Sequence, residues 1–345
     1  LAAPRMASMT ASEVRGRLDQ RFRLLVGSRR GLSRHQTLRQ AVAWSYDLLD
    51  DAQKSMLDRC SVFTGGFDLH SACAVAESDD EYAVLDRLDA LVRKSLLVAD
   101  RSSGHTRYSM LETIRQFAEE QLAASGQASE VRTRHSQYFA GRETDILALW
   151  DSPRQGEAYD WFTLELPNLR TAFRWATDNG DLNSAAVIST YAAFIGLCIE
   201  NYEPVTWAEE VIEPACAADH PRLAHLYAAA AQCHVTGRID DAIGYLDASH
   251  QTTQRGGFDE VPYELQVATG IVYSHAGQSE RWVNTCRRAI AATPGPHTVS
   301  RACLVMALYF MGDSAGSIRA SEELPTPAAI DNPMTACFAL LAHGL

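Results

Sequence analysis

At 345 residues the chain has room for two domains, or for one small domain and an extended array. Its 46% hydrophobic and 21% charged residues are those of a globular protein, and no apolar run is long enough to span a bilayer as a helix. Eight scattered cysteines form no C-x-x-C pair, which argues against a zinc site or a disulfide framework and for reduced, buried thiols. The net charge of −12 is uneven: residues 1–60 hold 11 Lys/Arg against 6 Asp/Glu, and the rest holds 20 against 37. An acidic body repels nucleic-acid phosphates, while the basic stretch from Arg15 to Arg39 suits a solvated face or an acidic neighbouring domain.

In chain order, LAAPRMAS opens like the tail of a helix already under way, so both chain ends are expected to be cut from something longer. Ser33 with Gln36 and Asp50 with Gln53 have the spacing of capping boxes, in which two side chains satisfy the free N–H groups of a helix's first turn. The helix after the first carries Leu38, Val42, Tyr46 and Leu49 on one face; the next carries Met56, Leu57 and Cys60 and stops before Gly65-Gly66. Asp68 caps a short helix, and Glu81 to Lys94 make another through Leu85, Leu88, Leu91 and Val92. The period then changes to that of strands. Leu96 to Val98 and Thr106 to Met110 flank the turn-rich Asp100 to Gly104 and predict a hairpin, followed by a helix from Leu111 to Ala124 that ends at Gly126. Helices followed by a β-hairpin make a winged helix.

From Glu130 onward the pattern is helical, with breaks at Asp151-Ser152-Pro153, Asn179-Gly180-Asp181 and Gly256-Gly257. Gly237, Gly277 and Gly312 each fall between two apolar helices, with Asn201 at the matching place upstream, and the preceding helices are rich in alanine. This weak repeat predicts tetratricopeptide-like helical pairs. The fold class is therefore mainly α, a winged-helix domain over 33–125 followed by a tetratricopeptide-like α-solenoid over 181–345, with a helical linker region over 126–180. Residues 1–32 read as the end of an upstream helical domain.

RHQTLRQAVAWSYDLL, SVFTGGFDLHSACAV, LVRKSLLV, RYSMLETIRQFAEEQL and WFTLELPNLRTAFRWATDNGD together resemble the region after the nucleotide-binding core in bacterial STAND-class regulators. STAND denotes signal-transduction ATPases with numerous domains; many from actinobacteria carry a LuxR-type DNA-binding domain or an adenylate cyclase domain. The resemblance covers about Ala11 to Asp181. It implies a cytoplasmic regulatory and sensor region that takes part in transcription regulation. A signal from the helical repeats would pass through the winged helix to an ATPase core lying outside this chain. It also implies that this chain is not itself an enzyme. The phosphate-cradling G-x-x-x-x-G-K-[ST] occurs nowhere in it, so ATP or ADP is implied only for the parent protein. Related switches place a Met-His-Asp-like triplet at the end of the wing, where the His meets bound ADP. Met110-Leu111-Glu112 stands there in this chain. Leu111 cannot bond a phosphate, which leaves Glu112 as the nucleotide-sensor candidate, or simply as a first-turn acid favoured by the helix dipole.

The implied partners are the parent's ATPase core and a protein or peptide ligand on the repeats. Trp207 and Trp282, near the repeat turns, and Tyr191 and Tyr227 are the candidate anchors, with inter-helix packing as the alternative for the two tyrosines. Trp161, Phe162, Phe173 and Trp175 read as core. His220 and His225 are five apart and face different ways, so no metal site is expected. Two other readings stay open: a DNA-binding winged-helix transcription factor, and a free-standing tetratricopeptide adaptor. In the helix from Glu81 to Lys94, the place of a DNA-reading helix, Arg87, Arg93 and Lys94 are cancelled by Glu81, Asp86 and Asp89. Direct DNA binding is therefore not expected.

Overall fold

The computed structural model of the chain describes residues 39–102, 105–292 and 295–344. The chain divides into two compact units, Leu1–His135 and Ser136–Leu345. The proposed capping box of Ser33 and Gln36 lies outside the described residues.

The first unit is a winged helix. Helix α1 covers residues 39–47 and is followed by α2 (Asp51–Cys60), α3 (Leu69–Ala76) and α4 (Glu81–Arg93). The strands β1 (Val98–Asp100) and β2 (Arg107–Ser109) and helix α5 (Glu112–Ala124) come next. Each of α2, α3 and α4 starts where an aspartate satisfies an amide of the first turn that no helical carbonyl can reach. Asp50 accepts from Gln53 N at 2.8 Å, Asp68 from Ser71 N at 2.8 Å and Asp80 from Ala83 N at 3.0 Å. The hairpin pairs antiparallel, with Val98 opposite Ser109, Ala99 opposite Tyr108 and Asp100 opposite Arg107.

A single residue, Phe67, adds an isolated antiparallel rung beside β2 by exchanging two backbone hydrogen bonds with Tyr108, at 2.9 and 2.7 Å. Gly66 makes this rung possible: its φ is +100°, and a Cβ there would lie 2.9 Å from the Tyr108 carbonyl oxygen. Below the sheet Phe63, Phe67 and Tyr108 stack in series, with ring centroids 4.7 and 5.8 Å apart. They join the buried Leu57, Val84, Leu88, Leu91, Phe117 and Leu122 in one core.

The second unit is a helical, repeat-like solenoid. It takes in part of α6 (Ala128–Gly141), then α7 (Glu143–Trp150), α8 (Gln155–Asp178), α9 (Leu182–Cys198) and α10 (Glu203–Ala217). Helix α11 (Leu223–Ala230) runs into a 3₁₀ turn, and α12 (Ile239–Arg255), α13 (Tyr263–Thr269) and α14 (Ile271–His275) follow. The last helices are α15 (Ser279–Ala292), α16 (Thr298–Met311), α17 (Ser314–Ser321) and α18 (Pro333–Gly344). Gly237, Gly277 and Gly312 hold the turns between paired helices at φ of 86°, 72° and 87°, the left-handed region a side chain disfavours. At the matching upstream turn it is Glu200, not Asn201, that has the positive φ of 60°.

Of the region 126–180, residues up to His135 fall in the first unit and those from Ser136 in the second. In α8, Phe162, Leu169, Ala172 and Phe173 are buried, and Phe173 stacks on Trp207 of α10 at 5.0 Å. The apolar stripe of α8 therefore belongs to the solenoid core. Helix α9 is buried on all faces, as its run of small residues allows: a Cβ on its Gly196 would come within 2.5 Å of the Asn201 carbonyl oxygen. Arg170–Glu203, Arg174–Glu210, Arg238–Glu209 and Arg281–Asp247 tie α8, α10, α12 and α15 together along their exposed sides. Glu209 and Glu210 thus face arginine partners. Such exposed pairs fix register more than they stabilise.

Candidate functional site

Two places in the winged helix have the chemistry of a site: the outward face of α4 and a small cavity at the base of the wing. On α4 the buried residues are Val84, Leu88 and Leu91, which turns Glu81, Tyr82, Asp86 and Arg93 outward. Tyr82 is 82% exposed. The outward side of α4 carries more acids than bases, Glu81 and Asp86 against Arg93. A DNA reader needs a basic stripe with base-bonding side chains at these positions.

Several cations of the unit are engaged within it. Arg59 donates to the carbonyls of Val75 and Ala76, which end α3, and to Gln127. Lys94 donates to the Leu48 carbonyl at 3.2 Å and to Gln53 at 2.7 Å. Arg107 reaches back to the Gly66 carbonyl at 3.2 Å. These basic groups are clips between elements, and they complete carbonyls that helix ends and turns leave unpaired.

The cavity, about 230 Å³, lies between the end of α2, the Gly65-Gly66 turn, the end of β2 and the first turn of α5. Cys60, Phe63, Met110, Glu112 and Arg115 are among its walls. Glu112, the nucleotide-sensor candidate, stands at the N-terminus of α5 with both oxygens in the fork of Arg115, at 2.9 and 3.0 Å. Gln116 adds a third hydrogen bond at 3.1 Å. Arg115 also donates to Glu119 at 3.1 Å and to the Ser61 carbonyl at 3.3 Å, so it bridges α5 to the end of α2. The Glu112 carboxylate, first among the causes, holds the guanidinium's pKa above its usual value. Leu111 is 61% exposed and makes no side-chain cap. The arrangement is a charge-assisted brace around a small mixed cavity. The resemblance that singled out Glu112 says nothing of Arg115, although an i, i+3 acid–base pair is readable in sequence.

The proposed partner anchors of the solenoid take other places. Trp207, Trp282 and Tyr191 are buried and are not surface anchors. Trp282 donates its indole N–H to the Val267 carbonyl at 2.7 Å and presses on Gly270, where a Cβ would fall 2.3 Å from the ring. Tyr191 donates to the Phe139 carbonyl at 2.8 Å. Tyr227 is half-buried, its ring 6.4 Å from that of Tyr245. Trp282 and Tyr191 are held alike: the ring is buried and its polar tip finds a carbonyl. Among the described residues no three His, Cys, Asp or Glu side chains converge as metal ligands, and no helix is long and apolar enough to cross a membrane.

The family described as winged helix-turn-helix domain matches residues 49–123. This part of the chain is a winged helix-turn-helix domain. Over 192 residues, 55% of this chain, the sequence is 41% identical to a candidate HTH-type transcriptional regulator of Mycobacterium tuberculosis, Rv0890c. Over 143 residues it is 37% identical to the uncharacterized protein Rv0894 of the same organism. The chain spans 22% of the first relative's length and 36% of the second's. Among solved structures it is similar to a STAND protein with a tetratricopeptide repeat sensor from Pyrococcus horikoshii, at 13% identity and a TM-score of 0.38 over the whole of this chain and 59% of that one.

Proposed function

We propose that this chain is the non-catalytic regulatory region of a larger cytoplasmic STAND-type regulator of transcription. In that reading the helical array is tetratricopeptide-like and receives a protein or peptide signal. The winged helix docks on the parent's ATPase core and relays the signal by shifting the core between two states. The parent binds ATP or ADP; this chain supplies no cofactor site and performs no catalysis. LuxR-type or cyclase-type output belongs to the parent alone. The observation that carries the reading is the use of the winged helix's cations: Arg59, Lys94, Arg107 and Arg115 clip their own domain together, and the outward face of α4 carries more acids than bases. Such a surface suits a protein neighbour better than a phosphate backbone.

Co-purification of the chain with the separately expressed ATPase core of its parent tests the proposal. Capture that depends on the core's nucleotide state supports it. Absence of capture with ADP, with ATP and without nucleotide would contradict it. A second reading, direct DNA binding by the winged helix, is favoured by the HTH-type description of the matching relative.

A further inference from the structure

In a helical array each element touches its neighbours, so the two ends have no reason to meet. In this solenoid they do. Three helix termini converge: the end of α7 at Trp150, the start of α8 at Gln155 and the start of α18 at Asn332 to Met334. The Trp150 carbonyl, left without a partner by the end of its helix, accepts from Gln155 Nε2 at 3.0 Å and from Asn332 Nδ2 at 2.9 Å. Gln155 Oε1 in turn accepts the amide of Met334 at 3.1 Å, one of the free donors at the start of α18. Asn332 Oδ1 caps the same helix through the amide of Thr335 at 2.8 Å. Two of these bonds, Asn332 to the Trp150 carbonyl and the Met334 amide to Gln155, thus cross gaps of 182 and 179 residues, and the other two complete the carbonyl and the cap locally.

The side chains at this junction are 3% exposed for Gln155 and 8% for Asn332. The apolar face of α18 points elsewhere: Phe338 and Ala342 pack with Ala302, Val305 and Leu324 on the α16 side. The closure is therefore carried by polar groups with demanding geometry, the kind of contact that selects one arrangement without adding much stability.

We propose that Gln155 and Asn332 form a polar latch that holds the solenoid closed on itself, with an open state reached when the latch parts. The latch is independent of the relay reading, since neither the ATPase core nor a signal ligand enters it.

The test is the double variant Gln155→Glu, Asn332→Asp. Both carboxylates keep their acceptor duties towards Met334 and Thr335, so α18 remains capped. Both lose the N–H that reached Trp150, and at neutral pH two negative charges would face each other where Gln155 Nε2 and Asn332 Oδ1 now lie 3.5 Å apart. Hydrogen exchange of the full chain should speed up by roughly tenfold or more at residues 150–156 and 330–335 at pH 7. X-ray scattering should show a larger radius of gyration. Protonating the pair near pH 4 restores the donors, so compactness relative to the wild type at the same pH should return. Unchanged exchange and radius at pH 7 would overturn the proposal. So would a loss of protection throughout α9, which would make the junction part of the folding core and not a latch.

Discussion

Gly270 has no freedom to be anything larger, because the Trp282 ring occupies the place of its Cβ. Gly270→Ala is expected to destabilise the second unit by about 1–3 kcal/mol, the usual cost of overpacking, seen as a lower denaturation midpoint with an unchanged slope. The buried Asp58 and the half-buried His225 give pH signatures of opposite sign. Asp58 accepts from the Tyr46 hydroxyl at 2.7 Å while its other oxygen has no partner, and burial pushes its pKa from 3.8 to about 6. A carboxyl that holds its proton more tightly when folded loses stability as pH rises from about 4 to 6. Asp58→Asn should therefore gain on the wild type over that window, by on the order of 1–3 kcal/mol. His225 is the reverse case. Burial, then the charge of Arg222, lowers its pKa from 6.5 to about 4, and its Nδ1 is buried without a partner. Its folded form resists protonation, so stability is lost as pH falls from 6.5 towards 4, and His225→Gln should lessen that loss. Urea titrations of wild type and variants at pH 4.5, 5.5 and 7 check both signs.

At the scale of elements, helix starts carry most of what local chemistry decides. Asp181 accepts from the Ser184 amide at 3.0 Å and its hydroxyl at 2.7 Å, which fixes where the buried α9 begins. Asp181→Ala should cost about 1 kcal/mol, typical for a lost cap, in the unfolding free energy of the second unit. Caps of this kind made α2 and α3 legible in the sequence, and the change of period at Leu96 made the wing legible, because both signals are local. The rung between Phe67 and Tyr108 was not legible. It is a long-range pairing that rests on one glycine's φ, which the Gly65-Gly66 pair marked only as a turn. Trp207 and Trp282 read as surface anchors for a related reason, whereas for Tyr191 the packing alternative holds. Periodicity tells which face of a helix is apolar but not which helix covers it, and aromatics beside repeat turns look alike whether they line a groove or fill a core. The same limit hid the meeting of Gln155 with Asn332.

For the whole molecule, the question is what the winged helix docks on. Its outward helix holds three acids against two bases, several of its cations bond their own domain, and residues 61–345 hold 37 acids against 20 bases. Those properties disfavour a phosphate backbone and suit a protein neighbour. The most direct measurement is a fluorescence-anisotropy titration of this chain with duplex DNA across a salt series, using the promoter region of its own gene and a scrambled duplex. The account expects weak binding, equal for both duplexes and lost by ~150 mM salt, where contacts to phosphate alone are already much reduced. A complex that prefers the promoter duplex and persists at that salt would contradict it and restore the winged helix as a reader of DNA.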